Sequence, residues 1–221
     1  MKESNICIEF QDVQFAFADE PGRIILDDLS FNVKKGEILG LLGPNGSGKT
    51  TIMNLIAGFL KPNEGKIIYA ENGEVFSSMI FQEAALLDWK TVSENIELSL
   101  LTNVKDVEAR RKRVNEMIKL LKLEDYKEKL PKQLSGGLKQ RVAIARALAP
   151  NPALLLMDEP FSALDIATKE ELIKDIREII IKEGKSAIFI SHNNEEASFF
   201  CDRILKLNPR TKKLMMGKVL E

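Results

Sequence analysis

Residues 43–50 carry the clearest chemistry in this sequence. They read Gly43-Pro44-Asn45-Gly46-Ser47-Gly48-Lys49-Thr50, which matches the phosphate-binding motif G-x-x-x-x-G-K-[ST]. The glycines allow the main chain to wrap closely around a phosphate, where a Cβ would clash. In this motif the Lys49 ammonium faces the β- and γ-phosphates, and the Thr50 hydroxyl is offered to Mg²⁺. The motif therefore predicts a site for a nucleotide and a magnesium ion.

The residues on either side of this loop support the interpretation. The apolar run 38–42 is typical of a buried strand, and residues 50 to about 60 have a helical pattern. A strand before the loop and a helix after it direct main-chain N–H groups and the positive end of the helix dipole at phosphate oxygens. Thr51, in the first turn of that helix, is also expected to contact the nucleotide. An ordinary glycine-rich turn would lack these flanking elements.

The acidic pair Asp158-Glu159 is the second candidate for chemistry. It directly follows the apolar run 153–157. Beside a phosphate loop, the first carboxylate can reach Mg²⁺ and the second can polarise the water that attacks the γ-phosphate. The alternative, a pair of solvated acids at a strand end, is disfavoured by the buried strand that precedes them. We therefore expect a hydrolytic site.

A mostly parallel sheet is needed to position these residues. Three short runs are continuously apolar, as strands buried on both faces are: 38–42, 153–157 and 187–190. Helical patterns follow each of them, at 50–60, 168–183 and 194–201. From Ile6 to about Val33 apolar and polar residues alternate, which predicts half-exposed antiparallel strands before a turn at Lys35-Gly36.

The segment from about 88 to 149 shows no strand pattern. Thr91 and Glu94 form a capping box, and an apolar stripe at helical spacing runs from Val107 to Leu121. We interpret the basic run 110–113 as a solvated face. The expected fold class is α/β: a P-loop NTPase core with a mostly parallel sheet, an N-terminal antiparallel β subdomain and an inserted α-helical subdomain. We expect residues 1–221 to form one domain, with a core at about 1–87 and 150–221 and the helical subdomain at about 88–149.

Composition excludes several classes of partner. The chain has 32 Lys and Arg against 33 Asp and Glu, a formal net charge of −1, so its overall field attracts no nucleic acid. Cys7 and Cys201 lie far apart without a metal-ligand spacing, which fits two buried thiols in a reducing compartment. No apolar run approaches the length of about 18 residues that a membrane span needs. No signal-peptide core follows Met1. We expect a cytosolic protein that can serve a membrane only from outside.

The run Leu134-Ser135-Gly136-Gly137, followed by Gln140-Arg141 and an alanine-rich helix at 142–149, resembles the signature motif of ATP-binding-cassette (ABC) ATPases. The resemblance covers essentially the whole chain. The family's motifs recur in order: an aromatic at Phe17, the phosphate loop, a glutamine at Gln82, the signature, Asp158 with Glu159, the loop 162–165 that includes Asp165, and a histidine at His192.

The resemblance implies a role for each of these residues. It implies ATP and Mg²⁺ as ligands. The catalytic residues would be Lys49, Gln82, Glu159 and His192, and the metal residues Thr50, Gln82 and Asp158. The nucleotide contacts would be Phe17, residues 43–51, Ser135, Gly136, Gly137 and Asp165. Because the signature opens a helix far in sequence from the phosphate loop, the family's arrangement is a head-to-tail dimer of two such cassettes.

Three positions depart from the family's common residues, namely Phe17, Leu138 and Asn193, and none of them removes a catalytic group. The residues Leu138–Arg141 and Leu86–Val92 resemble the importer branch that handles nitrate, sulfonates and taurine, with Asp88 in place of a usual proline.

The resemblance implies the ATP-hydrolysing subunit of an ABC transporter, acting in import. Its partners would be transmembrane permease subunits, a second cassette and a separate substrate-binding protein, and its place the cytoplasmic face of the membrane. A DNA-repair ATPase and a nucleotide-dependent regulatory module are the alternatives. The first would carry a long coiled coil after Gln82, and the second would lack Glu159 or His192. Trp89 is predicted either to meet the membrane subunit or to pack inside the helical subdomain.

Overall fold

The computed structural model describes residues 5–20, 22–69 and 76–216, and the strands within them form two sheets. The strands are β1 Ile6–Ala16, β2 Ile24–Lys34, β3 Ile38–Leu42, β4 Glu64–Tyr69, β5 Ser77–Ile80, β6 Leu154–Asp158, β7 Ser186–Ser191, β8 Arg203–Leu207 and β9 Leu214–Met216. The helices are α1 Lys49–Ile56, α2 Val92–Glu97, α3 Val107–Leu120, α4 Gly136–Leu148, α5 Ile166–Lys182 and α6 Asn194–Phe200.

The larger sheet has six strands in the order β5-β6-β7-β3-β8-β9. All neighbours in it are parallel except β9, which pairs antiparallel with β8 at the edge. The smaller sheet is antiparallel, in the order β2-β1-β4. This arrangement confirms the predicted fold class. The turn between β2 and β3 falls at Gly36, whose φ of 75° suits a glycine.

The central strands are buried on both faces, and successive side chains enter two different cores. On β3, Leu39 and Leu41 pack with the antiparallel sheet and α1, whereas Ile38 and Leu42 pack with the helices on the other side. Alternation of this kind follows from the two-residue period of a strand. It explains why these strands were recognisable as continuously apolar runs.

Helices α2, α3 and α4 pack against one another, and no strand lies among residues 92–148, all of which the structure describes. The predicted capping box of α2 is present, since Glu94 N donates to Thr91 Oγ1 and Thr91 N donates to Glu94 Oε2. In α3 the apolar stripe is buried at Val114, Met117 and Ile118, whereas Val107 is exposed.

Two of the four basic residues at 110–113 are only partly exposed and make specific contacts, whereas the sequence predicted a solvated face throughout. Arg110 pairs with Glu97 at 2.9 Å. Arg113 donates to the carbonyl oxygens of Leu148 and Ala149 at 3.1 and 2.8 Å. These arginines stabilise the helical segment, defined here as residues 88–149, because they satisfy carbonyls at loop and helix ends.

The first helix is shorter than its apolar pattern indicated. It ends at Ile56 instead of near residue 60, because Gly58 has a φ of 76° and turns the chain away. Within the described part of the chain, the structure has no helix with the length and apolarity needed to cross a bilayer.

Candidate nucleotide site

Four neighbouring strands of the central sheet deliver the predicted site residues. In spatial order β5, β6, β7 and β3 end next to one another, and the chain that follows them carries Gln82, the pair Asp158-Glu159, His192 and the phosphate loop. Residues beyond the carboxyl ends of parallel strands share one edge of the sheet, which is where open α/β sheets bind ligands.

The phosphate loop runs from Gly43 to the start of α1. Gly48 has a φ of 106°, and a Cβ there would lie 2.9 Å from a methyl of Leu26, so only glycine fits. Lys49 Nζ donates to the carbonyl oxygens of Gly43 and Pro44 at 2.7 and 3.1 Å. Ser47 Oγ is buried and has no hydrogen-bond partner within the described residues. A buried cation and an orphan hydroxyl around a cradle of main chain fit a phosphate group.

Thr50 and Asp158 meet across the sheet edge, where Thr50 Oγ1 donates to Asp158 Oδ2 at 3.2 Å. Burial raises the pKa of Asp158, and the hydrogen bond from Thr50 opposes that effect. Burial likewise lowers the pKa of Lys49, although the charges of Glu159 and Asp158 partly offset it. Each charge is therefore held in a poorly solvated place, as residues of a functional site often are.

The donor set of this pair fits magnesium. Mg²⁺ prefers oxygen ligands and takes only one or two of them from protein when phosphates supply others. Thr50 and Asp158 offer a hydroxyl and a carboxylate. Within the described residues no cluster of three or more His, Cys, Asp or Glu side chains is arranged to hold a metal. Thr50 and Asp158 therefore suit a Mg²⁺ ion whose other ligands come from the phosphates of a nucleotide.

Glu159 and His192 form a second contact pair, with His192 Nδ1 3.0 Å from Glu159 Oε2. Because a carboxylate oxygen accepts, this distance fits the tautomer with the proton on Nδ1. The Glu159 main chain has a φ of 45°, an uncommon value for a residue with a Cβ. Its N–H donates to the carbonyl of Ile190 at 3.1 Å, which ties it to the end of β7. Backbone strain of this kind is typical of functional sites.

These residues surround one cavity of about 910 Å³. The predicted residues on its wall are Phe17, Asn45, Gly46, Gly48, Lys49, Thr50, Thr51, Gln82, Asp158, Glu159 and His192. Three more wall residues were not predicted: Glu20, Arg23 and Ile25. Gly43, Pro44 and Ser47 belong to the same loop but are not among the residues of this wall. The volume suits a nucleotide, since ligand pockets range from about 300 to 1,000 Å³.

Phe17 lines this cavity and directly follows the end of β1. Its ring packs edge-on against Phe15, with centroids 5.0 Å apart, and 42% of the residue is exposed. An aromatic face that is both braced and exposed can stack on a base. Nearby, Arg23 and Glu20 form an ion pair at 3.1 Å.

The predicted signature residues lie elsewhere. Ser135 caps α4 by accepting from Leu138 N at 3.3 Å. A Cβ on Gly137 would come within 2.6 Å of Thr168 Cγ2, so this position requires glycine. Asp165 caps α5, accepting from Thr168 N at 3.0 Å. The cavity wall includes neither Asp165 nor residues 135–137. One chain thus brings together the phosphate loop and the acidic pair but not the signature.

Gln82 has a position between these two parts. It lines the large cavity and also a cleft of about 340 Å³, whose wall includes Gly136 and Lys139 of α4. Trp89, seven residues further on, is 74% exposed. The alternative in which it packs inside the helical segment is therefore wrong for this chain alone.

Asn193, one of the departures from the family pattern, has a clear local role. Its side chain caps α6 by accepting from Glu195 N at 2.8 Å and Glu196 N at 3.2 Å. An aspartate could make the same two contacts, because both side chains present an oxygen at that position. The substitution therefore leaves the loop that carries His192 intact.

Comparison with known proteins identifies the class of protein. Residues 26–162 match the family described as ABC transporter. The chain therefore belongs to this family, as an ATP-binding subunit that hydrolyses ATP. The resemblance deduced from the motifs is confirmed, and the repair and regulatory alternatives are not favoured.

Particular relatives refine this picture. The taurine import ATP-binding protein TauB of Pelagibacter ubique (strain HTCC1062) is 40% identical over 208 residues, which are 90% of this chain and 78% of that protein. The structure of cbiO1 from Clostridium perfringens, part of the ABC transporter complex cbiONQ, is 25% identical with a TM-score of 0.89, covering 98% of this chain and 89% of that one.

A third comparison concerns assembly. The ATP-binding cassette MJ0796, solved as a dimer in a post-hydrolysis state with ADP and Pi, is 31% identical to this chain. The TM-score is 0.79, and the match covers 97% of this chain and 99% of that one.

Proposed function

We propose that this chain energises import through a membrane permease, working as one of two cassettes that share their ATP sites. One observation carries the proposal. Lys49, Asp158 and Glu159 converge on one cavity, whereas the signature at Ser135–Gly137 opens outside it. The phosphate loop and the N-terminus of α4 can both bind anions, but in one chain they do not face the same cavity. A second copy of the chain would complete the site by placing its own signature over the nucleotide.

In this proposal the phosphate loop binds and orients the nucleotide. Lys49 turns from its own loop carbonyls to the phosphates, and Ser47 Oγ gains the partner that it lacks. Thr50 and Asp158 hold the metal ion. When bound, MgATP supplies an electrophilic γ-phosphorus and a metal ion that neutralises phosphate charge. Phe17 stacks on the adenine.

Glu159 and His192 together orient the attacking water. The Glu159 carboxylate accepts a proton or a hydrogen bond from the water, and His192 holds that carboxylate through Nδ1. The main-chain bond from Glu159 N to Ile190 fixes the carboxylate at the strand end. Gln82, at the border of the cavity, orients the same region from the side of the helical segment.

The shared site is tested by the dimer. Glu159→Gln keeps the residues that bind MgATP, so the variant accumulates as an ATP-dependent dimer in size-exclusion chromatography. Adding Gly136→Asp places a negative charge at the signature helix, where it repels phosphate of the partner's nucleotide. We expect ATP to bind each chain with unchanged affinity while the dimer is lost.

The matched control is Asn115→Asp, which adds the same charge at an exposed position of α3. It should leave the dimer intact. A Gly136→Asp variant that still dimerises with ATP would contradict the shared site.

Import is supported by the similarity to the taurine import protein. We propose transmembrane permease subunits and a separate substrate-binding protein as partners, with the chain peripheral on the cytoplasmic face. Selectivity then resides in the partners, because the cavity described above is suited to a nucleotide and not to a transported solute.

The direction of transport has its own test. In proteoliposomes that carry the complex with its cassettes outward, import corresponds to movement toward the cassettes. Labelled taurine sealed in the lumen should therefore leave when MgATP is added outside. Accumulation of outside substrate in the lumen would indicate export, and would overturn the direction but not the ATPase function.

A further inference from the structure

Arg146, on the last turn of α4, binds the main chain of the segment between β5 and α2. This segment, residues 81–91, carries Gln82 and is called the Gln82 loop. Its Nη1 donates to the carbonyl of Ala85 and its Nη2 to the carbonyl of Ala84, both at 2.8 Å. Burial lowers the pKa of this guanidinium. Two parallel donors from a planar group fix both the position and the orientation of what they bind.

The held carbonyls lie in an unusual piece of main chain. Ala85 has a φ of 44°, which is rare for a residue with a Cβ and costs on the order of 1 kcal/mol or more. Such a conformation persists only where its surroundings enforce it. The Arg146 fork spans this residue and the one before it, so it opposes relaxation of the loop to an ordinary conformation.

Other side chains of the helical segment hold the rest of the same loop. Asn95, fully buried in α2, accepts from Leu87 N at 2.8 Å and donates to the carbonyl of Leu87 at 3.2 Å. Gln140 of α4 approaches the carbonyl of Phe81 at 3.5 Å. The chain on both sides of Gln82 is thus bonded to the helical segment, although Gln82 itself faces the nucleotide cavity.

Helix α4 connects the contacts of Arg146 with Ala84 and Ala85 to the signature. Ser135 caps its N-terminus and Arg146 lies near its C-terminus, about 16 Å along the same helix axis. A helix of this length moves as one rigid element. Any displacement of the signature end is therefore passed to the carbonyls of Ala84 and Ala85.

We propose that Arg146 is a positioning residue for Gln82, which couples the placement of the signature helix to the placement of that glutamine in the ATP site. The proposal rests on the proposed function, since it assigns Gln82 a role at the site. Arg146 is not among the residues that line the nucleotide cavity. It acts through the main chain of residues 84 and 85.

The variants Arg146→Ala and Arg146→Lys test this role in the full chain. Alanine removes the fork, and lysine keeps the charge but can reach the carbonyls only as a single point donor. We expect kcat for ATP to fall about tenfold or more with alanine and less with lysine, while the dissociation constant for ATP stays within about twofold. ATP binding should be spared because the phosphate loop follows β3, whereas the loop that carries Gln82 follows β5.

Arg113→Ala is the matched control. Arg113 also donates to two neighbouring carbonyls, those of Leu148 and Ala149, and it also stabilises the helical segment, but it does not contact the Gln82 loop. Its loss should lower Tm without the fall in kcat. If kcat falls equally for Arg113→Ala and Arg146→Ala, Arg146 only stabilises the helical segment, and the proposal is overturned.

A double-mutant cycle with Gln82→Ala separates positioning from general destabilisation. If Arg146 acts through Gln82, adding Arg146→Ala or Arg146→Lys to Gln82→Ala should lower kcat by less than about twofold further. A full additional penalty would overturn the proposal, and the lysine variant allows this test if the alanine variant does not fold. Wild-type protein without ATPase activity would instead overturn the proposed function.

Discussion

His192 Nδ1 lies 3.0 Å from Glu159 Oε2, a contact between residues that follow two neighbouring parallel strands. The carboxylate is mostly buried, at 15% exposed, whereas the imidazole is 61% exposed. The buried partner is thus oriented by the exposed one. Together with the main-chain bond from Glu159 N to the carbonyl of Ile190, this contact fixes the position of the proposed catalytic carboxylate.

Replacing Glu159 by glutamine should nearly stop hydrolysis. An amide of the same shape cannot accept the water proton, and loss of a general base costs about 10²–10⁴ in rate. ATP affinity should be unchanged, because Lys49, Thr50 and Asp158 remain. Phosphate release at saturating ATP measures the effect. Glu195→Gln, at an exposed position of α6, is the control. Wild-type turnover in Glu159→Gln would remove Glu159 from its role.

Replacing Lys49 by alanine should weaken ATP binding and abolish hydrolysis but leave the fold intact. A charge-assisted contact to phosphate is worth about 1.5–3 kcal/mol, so affinity should fall about 10- to 100-fold. Stability should not fall in parallel, because burial already disfavours the Lys49 ammonium. Calorimetric titration and thermal unfolding measure the two quantities. Lys206→Ala, exposed on β8, is the control, and near-normal affinity in Lys49→Ala would contradict the site assignment.

Replacing Trp89 by alanine should weaken assembly with the permease more than it weakens ATPase activity. The side chain is 74% exposed, so its removal costs little folding free energy, whereas an exposed tryptophan often anchors an interface. We expect a loss of about tenfold or more in affinity for the purified permease. Val107→Ala, another exposed apolar residue of the helical segment, is the control. Unchanged assembly would exclude Trp89 from the interface.

Replacing Asp175 by asparagine should destabilise the protein at neutral pH but not in acid. Burial alone would raise the pKa of Asp175, but hydrogen bonds from Lys122 and Arg141, both at 2.8 Å, outweigh it and lower the pKa. A carboxylate whose folded pKa is depressed stabilises the fold above its unfolded pKa of about 4 and loses that effect as pH falls through the folded value.

The expected difference is about 2 kcal/mol at pH 7, measured by urea unfolding, and it should shrink steadily below pH 4. Asp28→Asn is the control. It breaks the exposed pair with Lys213 and should cost less than about 1 kcal/mol. A difference between Asp175→Asn and wild type that does not change with pH would contradict the assignment.

Thiol reagents should not modify the native protein at pH 8. Burial raises the pKa of Cys201, so it remains a thiol and not the reactive thiolate. Cys7 is buried too. We expect two thiols to react only after unfolding in guanidinium, as followed by absorbance of the released thiolate dye. Rapid modification of either residue in the native state would contradict the buried packing.

The sequence predicted those parts of the fold in which residue type alone is decisive. The strands β3, β6 and β7 contain the continuous apolar runs 38–42, 154–157 and 187–190, and the phosphate-loop motif is specific to one kind of turn. In contrast, β5 reads Ser77-Ser78-Met79-Ile80 and has no strand pattern of its own. It is a strand because it pairs with β6, with Ser77 opposite Leu154. Edge strands owe their conformation to such tertiary pairing, which propensity does not reveal.

The same limit applies to the site. Lys49, Asp158, Glu159 and His192 were predicted because each follows a strand within a known motif. Arg146 was not, because its contact with Ala85 joins residues 61 positions apart, and nothing local distinguishes it from a solvated arginine. Contacts from side chain to main chain over such distances depend on how helices pack, and are invisible in sequence patterns.

Because the signature lies outside the nucleotide cavity, ATP hydrolysis in the proposed mechanism depends on the encounter of two chains. A single chain then carries two half-sites and no complete one, so turnover by the free subunit should fall faster than its concentration as it is diluted. A permease that binds two cassettes replaces this dependence with an effective concentration fixed by geometry, in the millimolar range for close tethering. If the proposed permease holds two cassettes in this way, its presence should raise ATP turnover, and the free subunit should consume little ATP.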